Sequence, residues 1–255
     1  MKNILTPVVI ALFSYVANAA PVLSPQNDSV LRVGIVPFTE PFIMQASSTE
    51  YYGFDISTMN SICKTMNKKC SYIPVKRSRL LSAFENNQID VAIGDFVINA
   101  KMQEYVDFSM PYMTSQAQFI GLKAEANKTL DLDAIRNMRI GVIVNSAYAI
   151  ALGGMNVQDN QIKTFETDSD IIAALEAHQI DVGFINNYIA NYWEHNSGGV
   201  LSSIGSPINI GFGLGLVLNR GQIDLLTPLN MAIYGYQNSP DFKNNYNMYL
   251  SGLEY

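Results

Sequence analysis

Charge is scarce in this chain. Of 255 residues only 15 % are charged, and acids outnumber bases 22 to 16. That balance excludes the usual nucleic-acid binder, because phosphate backbones are held by clustered Lys and Arg. Cysteine is rarer still. Cys63 and Cys70 are too few for a multi-cysteine zinc module or a disulfide-dense mini-scaffold. The two histidines, His178 and His195, have no partner at metal-ligand or triad spacing and read as surface residues. G-x-S-x-G, H-E-x-x-H and a phosphate-binding glycine loop are all missing. After the N-terminus no apolar run reaches the roughly 20 residues that span a bilayer. What the chain does have is a 48 % apolar content. That is too high for a disordered chain, and the polar interruptions are too frequent for a membrane bundle. The length fits one large domain or two small ones.

Met1-Lys2-Asn3 carries one positive charge, Ile4 to Val16 is apolar, and Ala17-Asn18-Ala19 places small residues two apart. This layout predicts a secretory signal peptide over residues 1–19, cut after Ala19. The competing reading is a buried N-terminal helix. Export changes the meaning of Cys63 and Cys70, which lie seven positions apart. In an oxidising compartment such a pair is expected to form a structural disulfide. A redox or metal site is the alternative, but it would call for Cys-x-x-Cys spacing or a nearby His.

The chain repeats itself. Residues 80–95 read LLSAFENNQIDVAIGD and residues 171–186 read IIAALEAHQIDVGFIN. Six positions match without a gap, among them Gln88-Ile-Asp-Val91 with Gln179-Ile-Asp-Val182. A second echo pairs Arg32-Val-Gly-Ile-Val36 with Arg139-Ile-Gly-Val-Ile143. Each long echo reads as a helix, a polar turn and a short apolar run of the kind that forms a buried parallel strand. The shorter echoes read as the first strand of each unit. Two α/β units follow, each beginning strand–helix–strand–helix–strand. Chance likeness of two ordinary units is the competing account.

In open parallel sheets ligands lie beyond the C-terminal strand ends. The strand-end loops here are Pro37–Phe42, Gly94–Asn99, Asn145–Tyr148 and Asn186–Tyr188. The internal alignment makes Asp95 and Asn186 equivalent, so they should face one cleft from opposite sides. Gly94, Asp95 and Phe96 are therefore candidate binding residues. Phe38 and Tyr148 are candidate stacking contacts, and Phe54 is expected to pack beneath the loop.

Tyr52-Gly-Phe-Asp-Ile56, Gln88-Ile-Asp-Val-Ala-Ile93 and Val106-Asp-Phe-Ser-Met-Pro-Tyr112 together resemble the periplasmic solute-binding proteins of ABC importers, in the group specific for polar amino acids. The likeness runs over nearly all of the chain beyond the leader. It implies an α/β, two-lobed type II periplasmic-binding-protein fold. Each lobe would be a mixed sheet flanked by helices, and two hinge strands would join them. Residues 29–113 plus 213–255 would form lobe one and residues 114–212 lobe two. Gly211-Phe-Gly-Leu-Gly-Leu216 would be the return crossing, its glycines suiting a hinge. Cys63 and Cys70 also share the disulfide spacing of the family's basic-amino-acid and histidine binders.

The departures from the family pattern are sharper than the agreements. Its carboxylate-binding arginine, in "I-T-x-x-R", falls on Met102, and its threonine on Asn99. The adjacent Lys101 is expected to point elsewhere. The aspartate that holds the α-ammonium falls on Asn186. The helix start that contacts the ligand is Asn145-Ser146-Ala147, which keeps Ser146 as a cap and anion contact. An aromatic that stacks on the ligand falls on Arg77, and an early acid falls on Val36. Losing an ionic partner in a closed cleft costs about 2–5 kcal/mol, roughly 30- to 4,000-fold in affinity. Arg77 and Asp95 are the gains. They would meet an anion and a cation or hydroxyls, or pair with each other, or leave Arg77 on the surface beside Lys76 and Arg79.

The expectation is a monomeric periplasmic protein. It would capture a small polar solute for an ABC permease in the inner membrane, with no catalysis, cofactor, metal or nucleic acid. A membrane sensor, a cleft that has lost its ligand, and a lyase-like enzyme are the alternatives.

Overall fold

The computed structural model describes residues 29–123, 132–155, 157–158 and 161–253. The expected signal peptide at 1–19 lies outside the described residues. In chain order the first elements are β1 (Val30–Ile35), β2 (Met44–Ser47), β3 (Glu50–Tyr52), α1 (Phe54–Thr65), β4 (Lys69–Pro74), α2 (Leu80–Glu85), β5 (Val91–Ile93) and β6 (Val106–Phe108). Next come β7 (Gln116–Leu122), α3 (Leu132–Ile135), β8 (Ile140–Ile143), α4 (Ala147–Gly154), β9 (Ile162–Phe165), α5 (Asp168–Glu176), β10 (Val182–Asn186) and α6 (Asn187–Asn196). The chain closes with β11 (Leu201–Asn209), β12 (Val217–Asn219), α7 (Ile223–Gln237) and α8 (Pro240–Tyr249).

The strands form two five-stranded mixed sheets, ordered β4-β1-β5-β12-β6 and β9-β8-β10-β7-β11. The two orders are copies of one another. In each, three parallel strands are followed by an antiparallel one. That antiparallel strand, β12 or β7, is the one on which the chain arrives after crossing from the other sheet. Both units show the expected strand–helix–strand–helix–strand start, with the small β2–β3 ribbon inserted in the first. The apolar runs earn their place: every residue of β5, β8 and β10 is buried. Burying each Val or Ile stabilises by about 1.5–3 kcal/mol relative to exposure.

The echoed residues do the same job twice. In the first sheet the Arg32 backbone N–H and Nε donate to Asp90 Oδ2 at 2.8 and 3.1 Å, and Nη2 reaches Oδ1 at 2.6 Å. In the second, the Arg139 backbone N–H and Nε donate to Asp181 Oδ2 at 2.7 and 3.1 Å, and Nη2 reaches Oδ1 at 2.5 Å. Each arginine also donates to the carbonyl of a left-handed turn residue, Asn87 or His178. His178 therefore serves through its backbone while its ring stays exposed. The glycine within each echo is needed for packing. A Cβ at Gly34 would strike Ile89, and one at Gly141 would strike Ile180.

Where the chain crosses between sheets, Leu214 bridges to both Val97 and Met113. Gly211 and Gly213 have φ of 60° and 103° there, and a Cβ at Gly213 would lie 2.7 Å from the Met113 carbonyl oxygen. Only glycine fits that backbone approach. Phe54 packs as expected, fully buried and edge-on to Phe42 and Phe242. Cys63 and Cys70 are disulfide-bonded, joining α1 to β4.

Candidate functional site

The strand-end loops of the two sheets meet, and the chain bends sharply to make them. Phe38, Asp95 and Asn145 all have left-handed backbones, with φ of 64°, 52° and 52°. Such conformations are costly for side-chain-bearing residues and are held only where the surroundings enforce them. At the end of β5, Gly94 (φ 142°) turns the chain so that Asp95 points into the seam. Its carboxylate is 1 % exposed. Asp95 Oδ1 accepts from the Tyr148 hydroxyl at 2.7 Å and from the Asn186 amide at 2.8 Å. Both donors belong to the second sheet's helices and strands, so the equivalence read from the repeat is realised as a direct contact. Asn186 also caps α6, its Oδ1 accepting from the Tyr188 N–H at 2.8 Å.

Arg77 lies behind this contact and is 6 % exposed. Its Nη2 donates to the Gly94 carbonyl at 2.6 Å and to the Asp95 carbonyl at 3.3 Å. The guanidinium lies 4.3 Å from the centre of the buried Phe96 ring. Arg77 is thus neither a solvated surface residue nor hydrogen-bonded to the Asp95 carboxylate. Arg77 opens a 3-10 turn after an extended Lys76, and its side chain returns onto main-chain oxygens. Asp95 Oδ2 and Arg77 Nε are buried without a hydrogen-bond partner.

Burial pushes the Asp95 pKa up to about 6, opposed by the positive charge of Arg77 and by the Tyr148 and Asn186 hydrogen bonds. Two further buried acids escaped the sequence reading. Asp168, at the start of α5, is raised well above the usual carboxylate range by burial and then by the Asp95 charge, and its Oδ1 is unpartnered. Asp55 accepts from the Tyr112 hydroxyl at 2.9 Å, and burial lifts it to about 8. In sequence both look like ordinary first-turn helix acids. Only their burial distinguishes them, and only Asp55 lies between apolar neighbours, Phe54 and Ile56.

Beside Asp95, a cavity of about 560 Å³ opens between the sheets. Arg77, Phe96, Met102 and Ser146 line it. Ser146 is the cap of α4, accepting from the Ala149 N–H at 3.2 Å. Lys101 lines the same cavity, against expectation. It precedes a short 3-10 turn over Met102–Glu104 and lies in no strand, so neighbouring side chains do not alternate there. Phe38 lies elsewhere. It is 44 % exposed and lines a separate hollow of about 330 Å³ with Lys76 and Glu166. Ala147 is buried at the start of α4 and does not line the cavity. The structure therefore gathers Arg77, Gly94, Asp95, Phe96, Tyr148 and Asn186 at the seam, sets Met102 and Ser146 beside them, and places Phe38 at a second hollow between the units. Among the described residues no group of three or more His, Cys, Asp or Glu could hold a metal ion.

Other bonds cross the same seam. The Ser78 N–H donates to Glu166 Oε2 at 3.3 Å, and the Tyr188 and Tyr246 hydroxyls stand 3.0 Å apart. Chemically, the seam around Asp95 offers a fixed carboxylate, a fixed guanidinium and an apolar wall, with Glu166 and Glu40 bonded across it farther along.

The family model described as bacterial extracellular solute-binding proteins, family 3, matches residues 31–252. The arginine-binding periplasmic protein of Mannheimia haemolytica is 26 % identical over 220 residues, covering 85 % of this chain and 89 % of that one. An arginine transport-system periplasmic binding protein from Legionella pneumophila superposes with a TM-score of 0.79 at 26 % identity, covering 86 % of this chain and 98 % of the other. An ancestral amino acid-binding protein, described as a precursor of cyclohexadienyl dehydratase, superposes with a TM-score of 0.77 at 19 % identity, covering 88 % and 96 %.

Proposed function

The chain belongs to the bacterial extracellular solute-binding proteins, family 3, and on that premise we propose that it captures a small polar solute in the periplasm for an ABC importer. The solute is an amino acid or an amino-acid-like compound, held by anchors that differ from the family's. Residues 29–113 plus 213–255 act as one lobe and residues 114–212 as the other. The observation that carries this reading is the Asp95 contact with Tyr148 and Asn186, which places a charged group of one sheet against polar groups of the other. A solute seated in the cavity beside that contact, between Arg77 and Phe96 on one side and Asn145 and Ser146 on the other, touches both lobes only when they are together. It therefore favours the closed form by its differential affinity. The closed form then docks on an inner-membrane permease, whose ATPase supplies the energy. The relatives named above are binding proteins, and this reading assigns no catalysis to the seam.

A thermal-shift screen of amino acids, amines, organic acids and nucleoside-like solutes tests the proposal. A ligand that binds only the folded chain raises its melting temperature. Solute capture predicts at least one concentration-dependent shift, together with recovery of the solute unchanged. A screen with no shift, or conversion of the solute, would overturn it.

A further inference from the structure

The cavity beside Asp95 has a composition that selects ligands. Arg77 and Lys101 are its charged residues, and no carboxylate lines it. Leu80, Phe96, Met102 and Ile150 supply its apolar wall. We propose that this cavity binds an organic carboxylate with an apolar body and no ammonium group, its carboxylate held by Arg77 with Lys101 at the mouth. The inference rests on the solute-capture reading and departs from it on one point, the ammonium group that an amino acid would carry.

Three features support it. Arg77 is fixed in advance: Nη2 is tied to two main-chain carbonyls and the guanidinium is stacked on Phe96. Arg77 lines the cavity, and no lining carboxylate answers its charge, so the wall asks for an anion. A charge-assisted bond to a carboxylate answers that need, and a preordered cation spends little entropy in making it. The acids whose charges interact with Arg77, Asp95 and Asp168, lie outside the lining. Glu166 accepts from the Ser78 N–H and lines the separate hollow near Phe38. An α-ammonium brought into the cavity therefore meets two cations and no carboxylate, and loses its water for nothing. The size agrees as well, since pockets of roughly 300–1,000 Å³ suit small-molecule ligands.

Isothermal titration with matched probes tests the class. 3-Phenylpropanoate carries the acid alone, phenylalanine both charges, and phenethylamine the amine alone. 4-Methylpentanoate, leucine and 3-methylbutylamine repeat the series on an aliphatic body, and arginine is added as the solute named for the relatives. The expected result is that an acid-only probe binds at least about 10-fold more tightly than its amino-acid and amine counterparts. Arg77→Gln should weaken it about 30-fold or more, and Lys101→Gln about 3-fold. Arg77 also braces the Gly94 turn, so Met102→Glu provides a second route. It places an acid on the wall and should abolish acid binding with circular dichroism unchanged.

Tighter binding of phenylalanine, leucine, arginine or either amine would overturn the substrate class while leaving solute capture intact. Unchanged affinity for the acid in both Arg77→Gln and Met102→Glu would overturn the site. Silence from these probes in a protein that responds to another solute would overturn this inference alone. Silence throughout the wider screen would remove solute capture as well.

Discussion

The Asp95 carboxylate of the first sheet and the Asn186 amide of the second meet at 2.8 Å, although they stand 91 positions apart in the chain. They are the same position of a repeated unit, turned to face its copy. The Tyr148 hydroxyl shares the same carboxylate oxygen, so one atom of Asp95 gathers two donors from the opposite sheet.

Removing that atom should loosen the seam. Asp95→Ala leaves the Tyr148 hydroxyl and the Asn186 amide buried without their acceptor, at about 1–3 kcal/mol for each group. The melting temperature should fall, and small-angle scattering should show a larger radius of gyration. An unchanged radius together with an unchanged melting point would mean that the contact does not hold the sheets together.

Buried acids set a pH dependence. Asp55 and Asp95 have folded pKa values raised to about 8 and about 6 from an ordinary 3.8. The folded chain therefore keeps protons that the unfolded chain releases. Stability falls as pH rises from about 4 through 6 for Asp95, and on through 8 for Asp55. Below about 4 both forms are protonated and the effect disappears. Thermal melts at pH 5 and pH 9 should show the decline, and Asp55→Asn should flatten its upper part. A profile for Asp55→Asn that parallels the parent would contradict the assignment.

The disulfide closes a short loop on α1 and β4. Reducing it, or replacing both cysteines with alanine, should cost about 2–3 kcal/mol. In a chain of this size that is roughly 4–12 °C of melting temperature. Melts with and without reductant measure it, and equal curves would show the bridge to be energetically idle.

The two arginine–aspartate braces differ in exposure: the side chains are 32 % and 20 % exposed for Arg32 and Asp90, but 55 % and 38 % for Arg139 and Asp181. Water competes more strongly for the second pair. Asp90→Ala should therefore cost more than Asp181→Ala, by about 1–3 kcal/mol against the parent because a backbone N–H also loses its acceptor. Urea denaturation compares them, and the reverse order would sink the argument.

Much of this was legible in the sequence because it is periodic. The Gln-Ile-Asp-Val echo located β5 and β10, and the Arg-x-Gly echo located β1 and β8. Counting along the alignment then placed Asp95 opposite Asn186. The remainder depends on where a side chain goes after its backbone is placed. Arg77 falls between a strand and a helix, and nothing local shows that its guanidinium returns to the Gly94 carbonyl. Lys101 was expected to point away from Met102, yet it opens a 3-10 turn and lines the same cavity. Phe38 was expected at the seam with Asp95, and it lines a second hollow there, opposite Glu166 and Thr167. Asp55 and Asp168 look like helix-start acids, and only tertiary packing buries them.

Each brace ties together parts of a single sheet and spans no gap. When the halves part or come together, neither Arg32–Asp90 nor Arg139–Asp181 needs to stretch, so the two bodies can swing as rigid plates. Amide hydrogens at Arg32 and Arg139 should then exchange with solvent at rates indifferent to whether a solute has been captured, while those at Gly211 and Gly213 of the return crossing should respond.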